Sequence, residues 1–235
     1  MMTLYKIKSL TKKYGKNTAE VVALDAIDLE IPEGKFIVIL GESGSGKTTL
    51  LNMIGCMDKP TEGKILFMDE DISVYSRRQM TEFRRKTIGF VFQSYNLLPD
   101  LTALENVELA TEMVGLSRLD AFKALRDIGL EDRAGHFPSE LSGGEQQRVS
   151  IARAIAKQPK VLLCDEPTGA LDFKTGIMVL EVLKRIHEEQ GTTVILITHS
   201  REIARIADMI IRLRSGKVIG IEHNERPLMP GEVEW

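Results

Sequence analysis

The chain has 235 residues, enough for one large domain or for a core with a subdomain. Hydrophobic residues make up 43% and charged residues 28%, and the net charge of −3 supplies no general basic field for nucleic acid. Two cysteines, Cys56 and Cys164, lie far apart in apolar surroundings, which excludes a disulfide framework or a paired-cysteine metal site and fits a reducing cytoplasm.

The opening "MMTLYKIKSLTKKYGK" holds no long apolar core of the signal-peptide kind. The apolar runs "FIVIL", "VLL" and "VILI" are far too short to span a bilayer, so a membrane role requires a membrane subunit on another chain. "IDLEIPEG" alternates Ile27, Leu29 and Ile31 on one side and predicts a strand with one wet face, closed by a Pro/Gly turn. "KFIVILG" is instead a continuous β-branched run, as in a strand buried on both faces. It leads into "GESGSGKTT" (residues 41–49) and then a helix over "KTTLLNMIGCM". "GKILFMDEDI" and "TIGFVFQ" read as further strands, and the basic stretch "SRRQMTEFRRK" between them as a solvated helix face.

From residue 94 to residue 157 the pattern turns helical, with Ala, Leu, Glu and Arg at helical spacing and no convincing strand. "KVLLCDEP" and "TTVILITHS" then return as buried strands, separated by the amphipathic helix "GIMVLEVLKRIHEEQG". "MIIRLRSGKVIGIE" predicts a hairpin turning at Ser215–Gly216, and the polar end "HNERPLMPGEVEW" predicts a loosely attached tail. The expected fold class is α/β: a phosphate-loop NTPase core with a mainly parallel sheet, an antiparallel β subdomain and an inserted helical subdomain. Residues 1–93 and 158–235 form the core in this reading, and residues 94–157 the insertion.

The first glycine loop matches G-x-x-x-x-G-K-[ST] at Gly41, Gly46, Lys47 and Thr48, in the strand-to-helix context that the chemistry needs. Glycines let successive backbone N–H groups curl around a phosphate, and the helix N-terminus adds about half a positive charge. Lys47 brings an ammonium to the β- and γ-phosphates, and the Thr48 hydroxyl suits Mg²⁺. Glu42, Ser43, Gly44, Ser45 and Thr49 complete the ATP-binding loop. A buried strand ending in Asp165 delivers that carboxylate to the same sheet edge, also for Mg²⁺, while Glu166 can polarise a water for attack on the γ-phosphate. His199 ends the next buried strand, within reach of that phosphate, and Gln93 follows "IGFVF" where a glutamine can bridge metal, water and a moving loop. A second glycine-rich helix start, "LSGGE" (residues 141–145), is a further anion site lying on the insertion. One nucleotide needs only one such cradle. A head-to-tail dimer, each loop closing on the nucleotide of the other subunit, uses both.

Together these residues resemble the nucleotide-binding subunit of ATP-binding cassette (ABC) transporters, over nearly the whole chain and in that family's motif order. "GESGSGKT" looks like its Walker A loop, Gln93 its Q-loop glutamine, "LSGGE" its signature, "VLLCDE" its Walker B strand, "GALD" its D-loop and His199 its switch histidine. The resemblance implies Tyr14 stacked on adenine, Glu166 as catalytic base with Lys47 and His199, and Thr48, Gln93 and Asp165 around Mg²⁺. It further implies Ser142, Gly143, Gly144, Glu145 and Asp172 contacting ATP in trans. Glu145 replaces the family's usual glutamine. "GCMDKPTEG", "FVFQSYNLLPDLTALENV" and "PTGALDFKTG" look most like the lipoprotein-release and macrolide-export group. The implied protein is an ATPase with ATP and Mg²⁺ as cofactors, a homodimer with ATP, attached to separate permease subunits at the inner membrane face, with no nucleic-acid partner. A similar cassette serving a cell-division or wall-remodelling complex is the alternative, followed by a soluble ABC ATPase.

Overall fold

A computed structural model describes residues 2–15 and 20–234. In chain order its elements are β1 (Thr3–Tyr14), β2 (Val21–Pro32), β3 (Phe36–Leu40), α1 (Lys47–Ile54), β4 (Glu62–Phe67), β5 (Glu70–Asp71), α2 (Arg77–Thr87) and β6 (Ile88–Val91). There follow α3 (Ala103–Glu112), α4 (Arg118–Asp127), α5 (Gly143–Ile155), β7 (Val161–Asp165), α6 (Phe173–Gln190), β8 (Thr193–Thr198), α7 (Arg201–Ala204), β9 (Met209–Arg214) and β10 (Lys217–His223).

The uninterrupted apolar strands form the middle of the molecule. Their sheet has the order β10-β9-β3-β8-β7-β6, parallel throughout except for the hairpin partner β10. Every residue of β3 is buried, but successive side chains leave opposite faces. Phe36, Val38 and Leu40 join an apolar cluster with α3 to α6, whereas Ile37 and Ile39 join a second cluster against β1, β2 and α1. β7 and β8 divide in the same way. The second layer is an antiparallel sheet of order β2-β1-β4-β5. β2 shows the expected alternation, with Leu24, Ile27, Leu29 and Ile31 buried, and begins earlier than its clearest alternation predicts. Between the two sheets lies α1, which buries Leu50, Leu51, Met53 and Ile54.

Among the described residues, the elements within 94–157 are helices, and no strand lies there. Its apolar side chains, including Val149, Ile151 and Ile155 of α5, share one cluster with the central sheet. α2 leaves Arg77, Arg78 and Lys86 in solvent, half-buries Arg84 and Arg85, which donate to the Cys56 (2.6 Å) and Met113 (2.7 Å) carbonyls, and buries Met80 and Phe83. Its start is closed by a Ser76–Gln79 capping box.

The C-terminal segment corrects an expectation. It is not loosely attached: a 3₁₀ turn at Pro230–Glu232 packs on α6, and Val233 is 1% exposed within the larger cluster. Asn224 N–H donates to the Asp208 carbonyl (2.9 Å) and Leu228 N–H to the Arg205 carbonyl (3.1 Å). The anchoring residues are too sparse to make a period, which is why the polar composition concealed them. Replacing Val233 with alanine removes two methyl groups from a closed site and lowers the unfolding free energy by about 2 kcal/mol. Urea unfolding checks this, and an unchanged midpoint would mean that the tail is dispensable.

Candidate functional site

Parallel strands end on one edge, and the loops that follow them converge there. After β3 the backbone turns through Gly44 (φ 77°) and Gly46 (φ 102°) before α1 starts. Gly41 N–H donates to the Thr198 carbonyl (3.3 Å), and a Cβ at Gly41 would fall 2.4 Å from the Leu213 carbonyl oxygen. The loop is therefore pressed against β9 and admits no side chain at that point. Among the described residues, the buried Ser45 hydroxyl has no hydrogen-bond partner and nothing lies within 4 Å of a Cβ placed on Gly44. This is a rigid wall on one side and an open cradle on the other.

Lys47 is buried in the first turn of α1, with Nζ donating to the carbonyls of Gly41 (2.8 Å) and Glu42 (2.9 Å). The same ammonium lies 3.8 Å from Glu166 Oε1. Glu166 follows β7, with φ 42° and its N–H donating to the Ile197 carbonyl (3.1 Å). That left-handed backbone is uncommon for a residue with a Cβ, and such strain collects at functional sites. Its Oε2 lies 3.1 Å from His199 Nδ1, so Glu166 stands between a lysine and an exposed histidine. At the end of β7, Asp165 lies beside the Thr48 side chain, which favours its charged form. Burial raises the Asp165 carboxyl above the usual carboxylate range, and the neighbouring charge of Glu166 adds to the rise.

Ser43, Gly44, Gly46, Lys47, Thr48, Thr49, Gln93, Asp165, Glu166 and His199 line one cleft of about 560 Å³. Sequence reasoning missed part of its wall: Val21, Val22 and Ala23 of β2 also face it. Only a residue's distance from the loop in space, not in sequence, could have identified them. Tyr14 does not line this cleft; it ends β1, 41% exposed, with its hydroxyl 3.4 Å from Asp58 Oδ2 and Lys12 Nζ 4.9 Å from its ring.

The residues of the second glycine loop lie outside the cleft. Ser142 is the exposed N-cap of α5, and its hydroxyl accepts from the Glu145 N–H. Glu145 Oε2 in return accepts from the Ser142 N–H and hydroxyl (2.8 Å each), while Arg133 Nε donates to Oε1 at 3.1 Å. Those hydrogen bonds hold the Glu145 carboxyl below its ordinary range, the Ser142 N–H first. S-x-x-E closes a capping box that a glutamine would close equally, and what the acid adds is its charged contact with Arg133. Gly144 fits closely: a Cβ there would meet Thr175 Cγ2 at 2.1 Å. Asp172 caps α6, accepting from the Thr175 N–H (3.1 Å) and hydroxyl (2.6 Å). Gly169 lies against the Gln93 side chain, 2.9 Å from Nε2 to its Cβ position. The two glycine loops are thus joined through neighbouring residues, but one molecule does not bring them to a common cleft.

Comparison with known proteins identifies the family. The family described as "ABC transporter" matches residues 24–169. The chain is 44% identical to the lipoprotein-releasing system ATP-binding protein LolD of Geobacter metallireducens, covering 93% of this chain and 99% of that protein. It is 46% identical to the macrolide export ATP-binding/permease protein MacB of Brucella melitensis, covering 92% of this chain but 34% of that longer protein. Among solved structures, the dimeric post-hydrolysis state of the ATP-binding cassette MJ0796 bound to ADP and Pi superposes with a TM-score of 0.87. It is 44% identical, with coverage of 94% of this chain and 99% of that one. The family match, the identity over nearly the whole chain and the superposition together show that the chain belongs to the ABC transporter family as an ATP-binding component.

Proposed function

We propose that two copies of this chain bind two ATP molecules between them, hydrolyse them, and drive separate permease subunits. One observation carries the reading: two glycine-rich helix starts are present, and only one belongs to the cleft that holds Lys47, Asp165, Glu166 and His199. The N–H groups of residues 44–48 bind the phosphates, and Lys47 exchanges its carbonyl partners for phosphate oxygens. Glu166 takes the proton of the attacking water, oriented by the His199 contact; His199 in turn presents its other ring nitrogen to the γ-phosphate. Ser142, Gly143, Gly144, Glu145 and Asp172 of one copy complete the site of the other.

The donor set suits Mg²⁺. Thr48, Asp165 and Gln93 offer hard oxygen ligands, and all three line the same cleft. Mg²⁺ is commonly held by one or two protein ligands together with substrate phosphates. When bound, it neutralises phosphate charge. No helix of the described residues is long and apolar enough to cross a membrane, and a peripheral position on the inner face follows from the permease partners. The likeness to the lipoprotein-releasing and macrolide-export proteins supports export of a lipoprotein, antibiotic or peptide-like cargo.

The test is the mass of the Glu166→Gln variant in solution by light scattering. A monomer that becomes a dimer only with ATP is the expected result. A monomer under saturating ATP would overturn the shared site for this chain on its own.

A further inference from the structure

Residues 92–98 form neither helix nor strand, yet the helical segment holds their backbone at several points. Arg153, in the last turn of α5, donates from Nη1 to the Asn96 carbonyl (2.6 Å) and from Nη2 to the Tyr95 carbonyl (3.0 Å). Gln147 of α5 reaches the Phe92 carbonyl at 3.4 Å. Asn106 of α3, fully buried, accepts from the Leu98 N–H (2.8 Å) and donates to the Leu98 carbonyl (3.0 Å). Tyr95 and Asn96 have φ of 58° and 52°, two consecutive left-handed residues with side chains. Such a turn persists only where its surroundings over-determine it.

What this turn accomplishes is visible at its ends. The Tyr95 hydroxyl lies 2.9 Å from the Cβ position of Gly143, directly against the signature loop. Two residues earlier, Gln93 lines the nucleotide cleft and packs on Gly169. Arg153 is half-buried, and desolvation lowers its pKa without removing its charge. Both of its hydrogen bonds go to loop carbonyls, not to a carboxylate. Withdrawing a guanidinium from water for two carbonyls is costly for packing alone.

We propose that Arg153 is a positioning residue for the composite ATP site: by clamping the Tyr95–Asn96 turn it seats the Tyr95 phenol against Gly143 and joins the loop after Gln93 to the signature helix as one unit. The inference rests on the shared-site reading above. It predicts that loss of the clamp damages the face presented to the partner copy and spares the cleft of its own copy.

The experiment uses the full chain carrying Glu166→Gln. Binding of a fluorescent ATP analogue is measured at dilute protein, and ATP-dependent dimer mass is measured against protein concentration. Adding Arg153→Ala leaves nucleotide affinity within about twofold and raises the concentration for half-dimerisation at least about tenfold, the loss of one charged hydrogen bond or more. Asn96→Gly in that variant restores much of the dimerisation, because glycine adopts the left-handed turn without a clamp. A purely structural Arg153 would weaken nucleotide binding and dimerisation together and would not be rescued by glycine; that result overturns the proposal, as does unchanged dimerisation. Ser142→Arg in the same background separates the two readings. If it still dimerises like its parent, the shared site fails and the clamp with it. If it stays monomeric while Arg153→Ala dimerises normally, the clamp alone fails.

Discussion

Replacing Glu166 with glutamine lowers steady-state ATP turnover by about 10²–10⁴-fold, the usual contribution of a positioned general base, while ATP affinity changes little. The substitution keeps the volume and an acceptor oxygen for His199 but removes the group that can take a proton. Binding survives because the phosphate contacts come from the residue 41–49 loop, whose walls are Leu213, Ala23 and Thr198, none of which depends on the Glu166 charge. The backbone offers an independent control. At φ 42° Glu166 holds a conformation that glycine adopts freely, so Glu166→Gly relieves strain of about 1 kcal/mol or more and still abolishes turnover. A variant that is more stable and yet inactive identifies a residue kept for chemistry at the expense of stability. A phosphate-release assay with matched thermal unfolding decides the matter. Normal turnover in Glu166→Gln would remove Glu166 from the role of base.

Much of this site was legible because its parts are local. The residue 41–49 loop, its preceding apolar strand and the Asp165–Glu166 strand end each declare themselves within a few residues, and the parallel sheet then brings them to one edge. What escaped the sequence is non-local. Val21 and Val22 sit beyond the cleft's motifs in the chain and reach it only because β2 folds over α1. Arg153 meets Tyr95 and Asn96 across more than fifty residues, and neither end of that contact carries a pattern of its own. The tail is held by scattered backbone hydrogen bonds and the buried Val233, and a single apolar residue has no periodicity. The capping box at Ser142 and Glu145 was readable, but its consequence was not. That carboxylate already occupies the Ser142 N–H and hydroxyl, so any trans contact by Ser142 must share or displace it.

Gly46→Ala is expected to weaken MgATP binding by at least about 10²-fold, through geometry and not through loss of any functional group. Gly46 is the N-cap of α1 at φ 102°, so a side chain there is strained by about 1–3 kcal/mol before any contact is counted. Its Cβ would also fall 2.5 Å from the Ala23 carbonyl oxygen. That oxygen belongs to β2, where Ala23 forms a bulge held on both sides by pairing with β1 (Leu24 with Lys12, Val22 with Lys13), and it is also hemmed in by Gly216, whose Cβ position lies 2.9 Å away. The strain must therefore be relieved by the loop itself. α1 cannot follow, because Leu50, Leu51, Met53 and Ile54 are locked between the two sheets. The first turn shifts relative to the rest, the N–H groups of residues 44–48 lose their common focus, and Lys47 is carried with them. Two misdirected hydrogen bonds to a charged phosphate, at about 1.5–3 kcal/mol each, are sufficient for the predicted loss. Gly63→Ala serves as the control. It places a Cβ at φ 86° and 2.3 Å from the Ser9 carbonyl oxygen, a comparable insult in a strand that lines no part of the cleft. It should cost stability and leave affinity nearly intact. Calorimetric titration of both variants, with circular dichroism to verify folding, separates a site effect from a general one. Equal affinity losses would show that the phosphate loop's glycine serves stability alone.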